Sequence, residues 1–586
     1  MSGNTPWAFL DEYRSKGSNR TQSTETTATF SGRWPTMPEM FRISVSRYGE
    51  RPCFTVYEPN RICLSYTESL ARIRAAARWL NSKGIRKGDK VAVTGKNSPE
   101  WTIAFLAVLF TGAIVVPIDY QLKNEELDLL LKASHAKALF VDEEKHAHYA
   151  ERSSKQNAGQ SSGELSAVVS LKKGVGLYIY DLEGPDVPIE EASENDLAAI
   201  LFTSGTTGTP KGVMLTHQNL VADCYLAQGC MDIFSTDVFY AVLPIHHAYT
   251  MQAVFIEAIS VGAEIVFGKK MVTSVMLKEL REGKITMLLG VPLLFNKLLG
   301  GILRGIKSKG KAIYAILSFL MGISGLIKKI FKVNPGKKLF HAVLDQASLA
   351  TIRICISGGG PLAPSVFRKF NQLGIDFVQG YGLTETSPII NLNPIEHYKE
   401  TSVGKVIPET DMKILDPNER GIGEVIVKGP MVMKGYFEMP DETAEVFTSD
   451  GYLKTGDLGY LDNENYLYLT GRAKNVIVTE GGKNVYPEEI ENEFQLFDEI
   501  DQVLIRGFVM DQKMKIEGIE ALIYPNPDMK NEEGQAFSQA EIKTMMDKII
   551  SEVNPRLLPY QKINRTVILA EPMEMTTTKK IKRDSV

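Results

Sequence analysis

The signatures of several common protein classes are missing from this chain of 586 residues. Its five cysteines form no Cys-x-x-Cys pair, so the sequence predicts no thiolate metal centre and no disulfide framework, and we interpret the thiols as reduced and intracellular. The formal net charge is only −4, which gives no overall nucleic-acid signature. A Walker phosphate loop and the Gly-x-Ser-x-Gly turn of serine hydrolases are also absent. Function has to be inferred from other motifs.

Long apolar runs are few. No signal peptide is visible in residues 1–36, which are polar, rich in Thr and Ser, and expected to be flexible. Residues 101–118 contain Gly112 and Pro117, so they predict a helix, a turn and a buried strand. Residues 312–327 fall short of the ~20 residues that a spanning helix needs. With 44% hydrophobic residues, the chain can still fill a large core.

The most informative stretch follows a predicted buried strand at residues 198–202. Residues 203–212 contain four Thr, three Gly, one Ser, one Pro and one Lys. Hydroxyl groups and glycine N–H groups can form a concave anion cradle, and the lysine adds a point charge for phosphate. A flexible linker has a similar composition, but linkers do not usually lie between apolar segments. We predict a phosphate-binding loop made of Thr203, Ser204, Gly205, Thr206, Thr207, Gly208 and Lys211.

Four further motifs follow in order. A predicted strand at residues 352–357 leads into Gly358, Gly359 and Gly360, a turn that lets a flat ring approach the backbone. Residues 379–386 read Gln-Gly-Tyr-Gly-Leu-Thr-Glu-Thr, and residues 454–459 and 469–474 read Lys-Thr-Gly-Asp-Leu-Gly and Leu-Thr-Gly-Arg-Ala-Lys. Together with the loop, these motifs closely resemble the adenylate-forming superfamily of acyl-CoA synthetases, firefly-type luciferases and peptide-synthetase adenylation domains. The resemblance covers nearly the whole chain beyond residue 36.

The resemblance implies a fold and a domain division. Strands and helices alternate over residues 65–120, which favours an α/β fold with doubly wound sheets. The family adds a β-barrel-like subdomain and a small mobile α+β C-terminal domain. We therefore expect an N-terminal adenylation domain over residues 37–473 and a C-terminal domain over residues 474–586, with a hinge at Lys474. Residues 151–166 are polar and predict a surface loop.

The resemblance also assigns roles to residues. Gly358, Gly359, Gly360, Gly380, Tyr381 and Gly382 would border the adenine, Thr384 would bind phosphate, and Glu385 would hold Mg²⁺ of the ATP complex. Asp457 would accept both ribose hydroxyls, and Arg472 would support the ribose and phosphates. Gly481 and Gly482 would line the pantetheine tunnel for coenzyme A. The terminal lysine motif leaves Lys579 and Lys580 as alternatives, and the spacing favours Lys580 as catalytic.

His246 and His247 follow an apolar strand at residues 242–245. Such a pair alone is usually structural, and no third ligand lies nearby in sequence to indicate a metal site. By the resemblance, one of the two would line the place where the substrate carboxylate meets the α-phosphate.

Residues 284–344 contain eleven Lys and Arg and no Asp or Glu, with apolar residues interleaved. One interpretation is a solvated helical face over ordinary core. The other is a basic apolar insertion that docks on anionic lipid, where each cation contributes roughly 1 kcal/mol.

These observations predict an AMP-forming acyl-CoA synthetase. It would activate a medium- or long-chain fatty acid with ATP and Mg²⁺ and transfer the acyl group to CoA, in the cytoplasm or at its membrane face. An acyl-carrier-protein acceptor, an aryl acid and luciferase-type oxidation remain alternatives within the superfamily. A non-catalytic lipid- or nucleotide-binding scaffold is the alternative of another class. No nucleic-acid partner is expected, and a homodimer is left open.

Overall fold

Two sheets organise the N-terminal part of the protein. The coordinates are a computed structural model that describes residues 33–58, 60–157, 165–203, 210–268, 272–478, 483–495, 497–511, 516–530, 534–575 and 581–583. The helices are Met37–Tyr48, Tyr66–Ser82, Pro99–Phe110, Asn124–Ser134, Glu143–Asn157, His217–Cys230, Ala248–Thr250, Met251–Ile256 (a π-helical turn), Glu257–Val261, Thr273–Glu282, Pro292–Lys307, Lys311–Phe331, Gly336–Leu339, His341–Gln346, Pro364–Gln372, Pro440–Val446, Pro487–Asn492 and Gln539–Val553.

The large sheet has thirteen strands. From one edge to the other they are Asp411–Leu415, Gly423–Lys428, Leu453–Leu461, Tyr466–Arg472, Gly404–Val406, Ile389–Leu392, Asp376–Gly382, Ile354–Ser357, Met287–Gly290, Val238–Ala241, Glu264–Phe267, Pro52–Val56 and Ile62–Ser65. The strands from Asp376–Gly382 to Pro52–Val56 pair in parallel, and those before them pair antiparallel. The change occurs at Asp376–Gly382, the strand that carries the Gly-Tyr-Gly motif.

The small sheet has seven strands, in the order Gly435–Tyr436, Lys211–Thr216, Leu197–Thr203, Ile114–Ile118, Lys90–Thr94, Ala136–Val141 and Ala167–Ser170. The helix Pro99–Phe110 has apolar residues on all sides and is buried throughout, because it lies in the core between elements of both sheets. Residues 101–118 thus form the predicted helix, turn and strand.

The C-terminal part has its own core and a third sheet of Ile500–Asp511, Ile516–Pro525 and Arg565–Ile568. Its buried residues include Ile505, Ile523 and Met546. We call residues 477–583 the small domain. The expected α/β fold with a large N-terminal and a small C-terminal domain is confirmed, and the boundary near residue 474 stays a prediction.

Three expectations need correction. The polar stretch 151–166 begins as helix, since Glu143–Asn157 continues to residue 157, and residues 158–164 lie outside the described part. Arg33 onwards is described, and Trp34 and Thr36 are buried, so a flexible N-terminus has to end earlier than residue 36. Residues 284–344 are not one insertion, because Met287–Gly290 is an inner strand of the large sheet.

Candidate active site

A hairpin carries the predicted phosphate loop. Strands Leu197–Thr203 and Lys211–Thr216 pair antiparallel, with Thr203 opposite Lys211. The hydroxyl of Thr203 donates to the carbonyl oxygen of Lys211 at 3.4 Å. The predicted loop residues Ser204, Gly205, Thr206, Thr207 and Gly208 lie outside the described residues. Both ends of the loop are therefore placed at one edge of the small sheet.

Tyr436 joins that hairpin to the predicted metal carboxylate. Its strand pairs with the hairpin, where Tyr436 lies opposite Val213, and the Nζ of Lys211 lies 5.0 Å from the centre of its ring. Its hydroxyl donates to Oε1 of Glu385 at 3.0 Å. Burial, together with the nearby Glu385 carboxylate, raises the pKa of the phenol. The phenol therefore remains a donor at neutral pH, and it fixes one oxygen of Glu385.

The turn that carries Thr384 and Glu385 is held by the backbone. Residues Thr384–Thr386 form one short helical turn after strand Asp376–Gly382. The amide of Met433 donates to the carbonyl oxygen of Glu385 at 2.8 Å. A Cβ on Gly382 would lie 1.6 Å from the carbonyl oxygen of Pro388, so only glycine fits there. The structure brings Thr384 and Glu385 next to Tyr436, as a unit at the end of the strand.

A charged cluster surrounds Asp457. Asp457 and Arg472 are directly opposite on adjacent strands, and the Nε of Arg472 lies 2.7 Å from Oδ1 of Asp457. The hydroxyl of Tyr381 donates to Oδ2 of Asp457 at 2.5 Å. Burial and the Asp457 charge raise the pKa of Tyr381 well above its usual range. The structure thus brings together three residues that the sequence assigned to adenine, ribose and phosphate.

The turn at Gly358, Gly359 and Gly360 is close-packed at its first glycine only. A Cβ on Gly358 would lie 3.0 Å from the ring of Tyr249, whose hydroxyl donates to the carbonyl oxygen of Ile356 at 2.9 Å. Gly359 has φ +77°, which favours glycine. The ring that approaches Gly358 is therefore one of the protein's own. The adenine role of Gly359, Gly360 and Gly380 stays a prediction.

His246 is buried and faces Asp119. Its Nε2 lies 3.7 Å from Oδ1 of Asp119, and the centre of its ring lies 4.3 Å from that of His247, with the two rings tilted by 40°. Burial lowers the pKa of His246 to about 3, so the imidazole is neutral at pH 7 and the contact with Asp119 is not an ion pair. Neither ring nitrogen has a hydrogen-bond partner among the described residues. A buried imidazole with unused nitrogens can serve a bound polar group.

The loop before His246 is held by Asn97. The amide of Asn97 donates to the carbonyl oxygens of Ala241 and Leu243 at 2.9 and 2.8 Å, and its oxygen accepts from Ile245 at 3.0 Å. Sequence reasoning missed both Asn97 and Tyr436. A single Asn and a Gly-Tyr pair carry no pattern of their own, and only their tertiary contacts reveal them.

For the predicted residues of the small domain, the structure describes only the flanking chain. Strands Ile477–Val478 and Asn484–Val485 pair antiparallel and flank Gly481 and Gly482 in sequence. Met575 and Ile581 form a bridge and flank Lys579 and Lys580 in sequence. Gly481, Gly482, Lys579 and Lys580 lie outside the described residues. The predicted hinge residue, Lys474, is exposed in the short turn Ala473–Asn475.

Mg²⁺ fits the chemistry of these donors. Within the described residues no group of three or more His, Cys, Asp or Glu could form a closed metal site. Mg²⁺ does not require one, because it usually keeps several waters and is bound by one or two carboxylates together with substrate phosphates. Glu385, which Tyr436 orients beside the phosphate-loop hairpin, has the chemistry of such a carboxylate, and its metal role stays a prediction.

Comparison with known proteins identifies the family. The model of the AMP-binding enzyme family matches residues 41–437. A long-chain-fatty-acid–CoA ligase of Mycobacterium bovis is 30% identical over 89% of each chain. A feruloyl-CoA synthase of an Amycolatopsis species is 28% identical, over 81% of this chain and 85% of its own. The crystal structure of an anthranilate CoA ligase in complex with anthranoyl-AMP superimposes with a TM-score of 0.76. It is 18% identical in sequence, and the match covers 95% of this chain and 98% of its own.

The chain therefore belongs to the AMP-binding enzyme family, the adenylate-forming enzymes that its motifs resemble. Within the family it is an AMP-forming acid–CoA ligase.

Proposed function

We propose that this enzyme activates a fatty acid of medium or long chain. A carboxylate oxygen of the acid attacks the α-phosphorus of ATP, and pyrophosphate leaves. The thiol of coenzyme A then attacks the acyl carbon of the adenylate, loses its proton and displaces AMP. Negative charge gathers at the phosphates in the first step, so the catalyst needs cations and oriented donors rather than a nucleophile.

The observation that carries the proposal is the convergence of two fixed units. Tyr381, Asp457 and Arg472 form one, suited to a nucleoside, and Glu385 with Tyr436 and Lys211 forms the other, suited to phosphates. Glu385 would hold Mg²⁺, which would neutralise phosphate charge. The polar, buried His246 would contact the carboxylate of the acid.

Two relatives support different acids. The Mycobacterium bovis relative favours a fatty acid, and the Amycolatopsis relative favours an aromatic acid as the second candidate. The exposed apolar helix Lys311–Phe331 agrees better with a lipid-derived substrate. The cytoplasmic location belongs to the same proposal, since the five cysteines form no disulfide.

The test is AMP release from ATP with CoA, across saturated acids from acetate to palmitate and with benzoate and ferulate. We expect activity to rise with chain length, because an apolar chain contributes about 0.8 kcal/mol for each buried methylene. A maximum at acetate or at an aromatic acid would contradict the fatty-acid assignment. AMP release with phosphopantetheine carrier protein but not with CoA would contradict the proposed acceptor.

A further inference from the structure

One helix exposes a continuous apolar stripe. In Lys311–Phe331 the side chains at positions 316, 319, 323, 326 and 330 repeat at alternating spacings of three and four, which places them on one face. Phe319 is 70% exposed, and Ile316, Leu326 and Ile330 are each exposed by more than half. We call these five residues the apolar stripe. Single exposed apolar residues are ordinary, but a stripe of this length marks an interaction surface.

The opposite face of this helix is fixed to the large domain. Met321, Ser324 and Lys328 are buried there, and a Cβ on Gly325 would lie 2.7 Å from Gln372 of the neighbouring helix. The Nζ of Lys328 lies 2.6 Å from Oδ1 of Asp376 and 2.7 Å from Oδ1 of Asn371. The helix is thus anchored by a buried ion pair on the side away from the apolar stripe.

This anchoring bears on how the helix can meet a membrane. In the described ranges it is the one helix long and apolar enough to cross a bilayer, judged by length and composition. Crossing would separate Lys328 from Asp376 and leave an uncompensated charge in hydrocarbon, which is strongly unfavourable. Lying in the plane of the interface keeps the ion pair and buries only the apolar stripe.

The surrounding charge selects the kind of surface. Lys307, Lys309 and Lys311 lie at the start of the helix, and Lys329 and Lys332 lie at its end. All five are exposed, and the sequence contains no Asp or Glu between residues 283 and 344. An apolar face with cations at both ends matches an anionic bilayer surface, where acyl chains accept the apolar side chains and headgroups pair with the lysines.

We propose that the apolar stripe of Lys311–Phe331 docks in the plane of an anionic lipid bilayer. Asp376, which anchors the helix, is the first residue of the strand that ends in Tyr381 and Gly382. The strand Asp376–Gly382 therefore connects the docked helix to Tyr381, which belongs to the unit suited to a nucleoside. If the proposed function holds, this places the enzyme at the surface where fatty acids partition.

The experiment is cosedimentation of the full chain with vesicles, without detergent. Phosphatidylcholine vesicles are compared with vesicles that also contain phosphatidylglycerol, at low and high salt. We expect binding to the anionic vesicles to be at least about tenfold stronger at low salt and to weaken as salt rises. Equal binding to both compositions, or none to either, would overturn the proposal.

Variants locate the contact. I316S/F319S should lose at least about tenfold in vesicle affinity, because it removes the apolar insertion. K311Q/K329Q should lose the preference for phosphatidylglycerol. The matched control is L129S, which removes a side chain that is 55% exposed on another helix, and it should bind as the unchanged protein does. Equal binding by I316S/F319S and L129S would overturn the assignment to this helix.

Three further measurements test self-association of the protein, spanning of the membrane and the proposed function. Self-association without lipid that I316S/F319S abolishes would assign the stripe to a second copy and overturn the proposal. Resistance to alkaline carbonate extraction would indicate spanning and would contradict in-plane docking. AMP release with a short soluble acid should be unchanged in I316S/F319S. Absence of AMP release with every acid tested, from short to long, would count against the proposed function alone, because vesicle binding is measured without turnover.

Discussion

The large domain and the small domain differ in how far their described contacts define the candidate site. On the large domain, Asp457 contacts both Arg472 and Tyr381, and Glu385 contacts Tyr436 and the backbone at Met433. On the small domain, the described strands flank the predicted residues in sequence, and the roles of those residues stay predictions.

Among the described residues, several contacts between the domains are polar. The side chain of Gln495 accepts from the amide of Ala363 at 2.7 Å and donates to the carbonyl oxygen of Pro361 at 3.0 Å. Arg304 and Asp498 form an exposed pair at 3.5 Å. Such contacts are weak, and polar interfaces between domains favour relative motion. If the predicted roles hold, the nucleotide would bind to groups already fixed on the large domain, and a rotation of the small domain would exchange its catalytic groups.

The largest effect is expected from Lys580→Ala. If Lys580 serves adenylation only, adenylate formation should fall by at least about 10³-fold, while a supplied acyl-adenylate should still react with CoA, because oriented charge stabilises the first transition state. The two half-reactions are measured separately, as pyrophosphate release and as thioester formation. Lys579→Ala is the matched control and should retain adenylation. An equal loss in both half-reactions would contradict the division of roles between the domains.

Asp457→Asn should weaken nucleotide binding. Charge-assisted hydrogen bonds contribute ~1.5–3 kcal/mol, which corresponds to about 10- to 100-fold in affinity. Isothermal titration with ATP measures this directly, and Tyr381→Phe, which removes a single neutral donor, should cost less. Unchanged ATP affinity in Asp457→Asn would remove the carboxylate from the nucleotide site.

Tyr436→Phe should raise the Mg²⁺ concentration needed for half-maximal activity by about tenfold, because partners of metal-binding carboxylates orient them. The measurement is AMP release against Mg²⁺ concentration at saturating ATP. Tyr149→Phe is the control, since that hydroxyl also donates to a carboxylate, Asp128 at 3.1 Å, away from the site. A Mg²⁺ curve that coincides with that of the control would exclude the bridge between Tyr436 and Glu385.

Gln495→Ala tests the weakness of the domain contact. Loss of hydrogen bonds worth ~1 kcal/mol should change the ratio of the two half-reaction rates by about fivefold, because the described orientation of the domains is then less favoured. Asn526→Ala is the control, since Asn526 bonds within the small domain to Asp498 at 2.9 Å. If both variants leave the ratio unchanged, Gln495 does not bias the domain orientation.

Another expected effect concerns the pH dependence of stability. Burial lowers the pKa of His217 to about 4, whereas an unfolded histidine titrates near 6.5. The unfolded chain therefore binds the proton first, and the large domain should lose stability as pH falls from about 6.5 to 4, by up to ~1.4 kcal/mol per pH unit. Urea unfolding followed by tryptophan fluorescence reports this, since all four Trp precede residue 102. His217→Gln should flatten the slope, and an unchanged slope would contradict the assignment.

The small domain should respond in the opposite direction. Burial raises the pKa of Glu491 to about 7, although Arg583, whose guanidinium lies 2.6 Å away, opposes the shift. The folded state then binds this proton more tightly than the unfolded state does, so stability falls as pH rises from about 4.5 to 7. Hydrogen exchange of strand Ile500–Asp511 across this range should show faster opening at higher pH. Faster opening at lower pH would contradict the opposite sign.

Local chemistry made much of the fold predictable from sequence. The strand at Lys90–Thr94 and the helix Pro99–Phe110 with its following turn have apolar patterns and end signals that neighbouring residues create, and these do not depend on distant contacts. The helix within 151–166 was missed because its polar sequence resembles a loop, although helix Glu143–Asn157 packs through the buried Tyr149.

The candidate site, like the fold, was predictable from the sequence only in part. The kinds of chemistry can be read from local sequence: a glycine- and hydroxyl-rich loop with Lys211, the Gly-Tyr-Gly strand with Glu385, and Asp457 with Arg472. Which groups meet depends on how distant segments pack. Glu385 meets Tyr436 51 residues away, and Asn97 holds a loop about 146 residues away. The tertiary structure also decided that Lys328 is buried against Asp376 while Phe319 is exposed, because the partners of a helix face are set by packing and not by its own sequence.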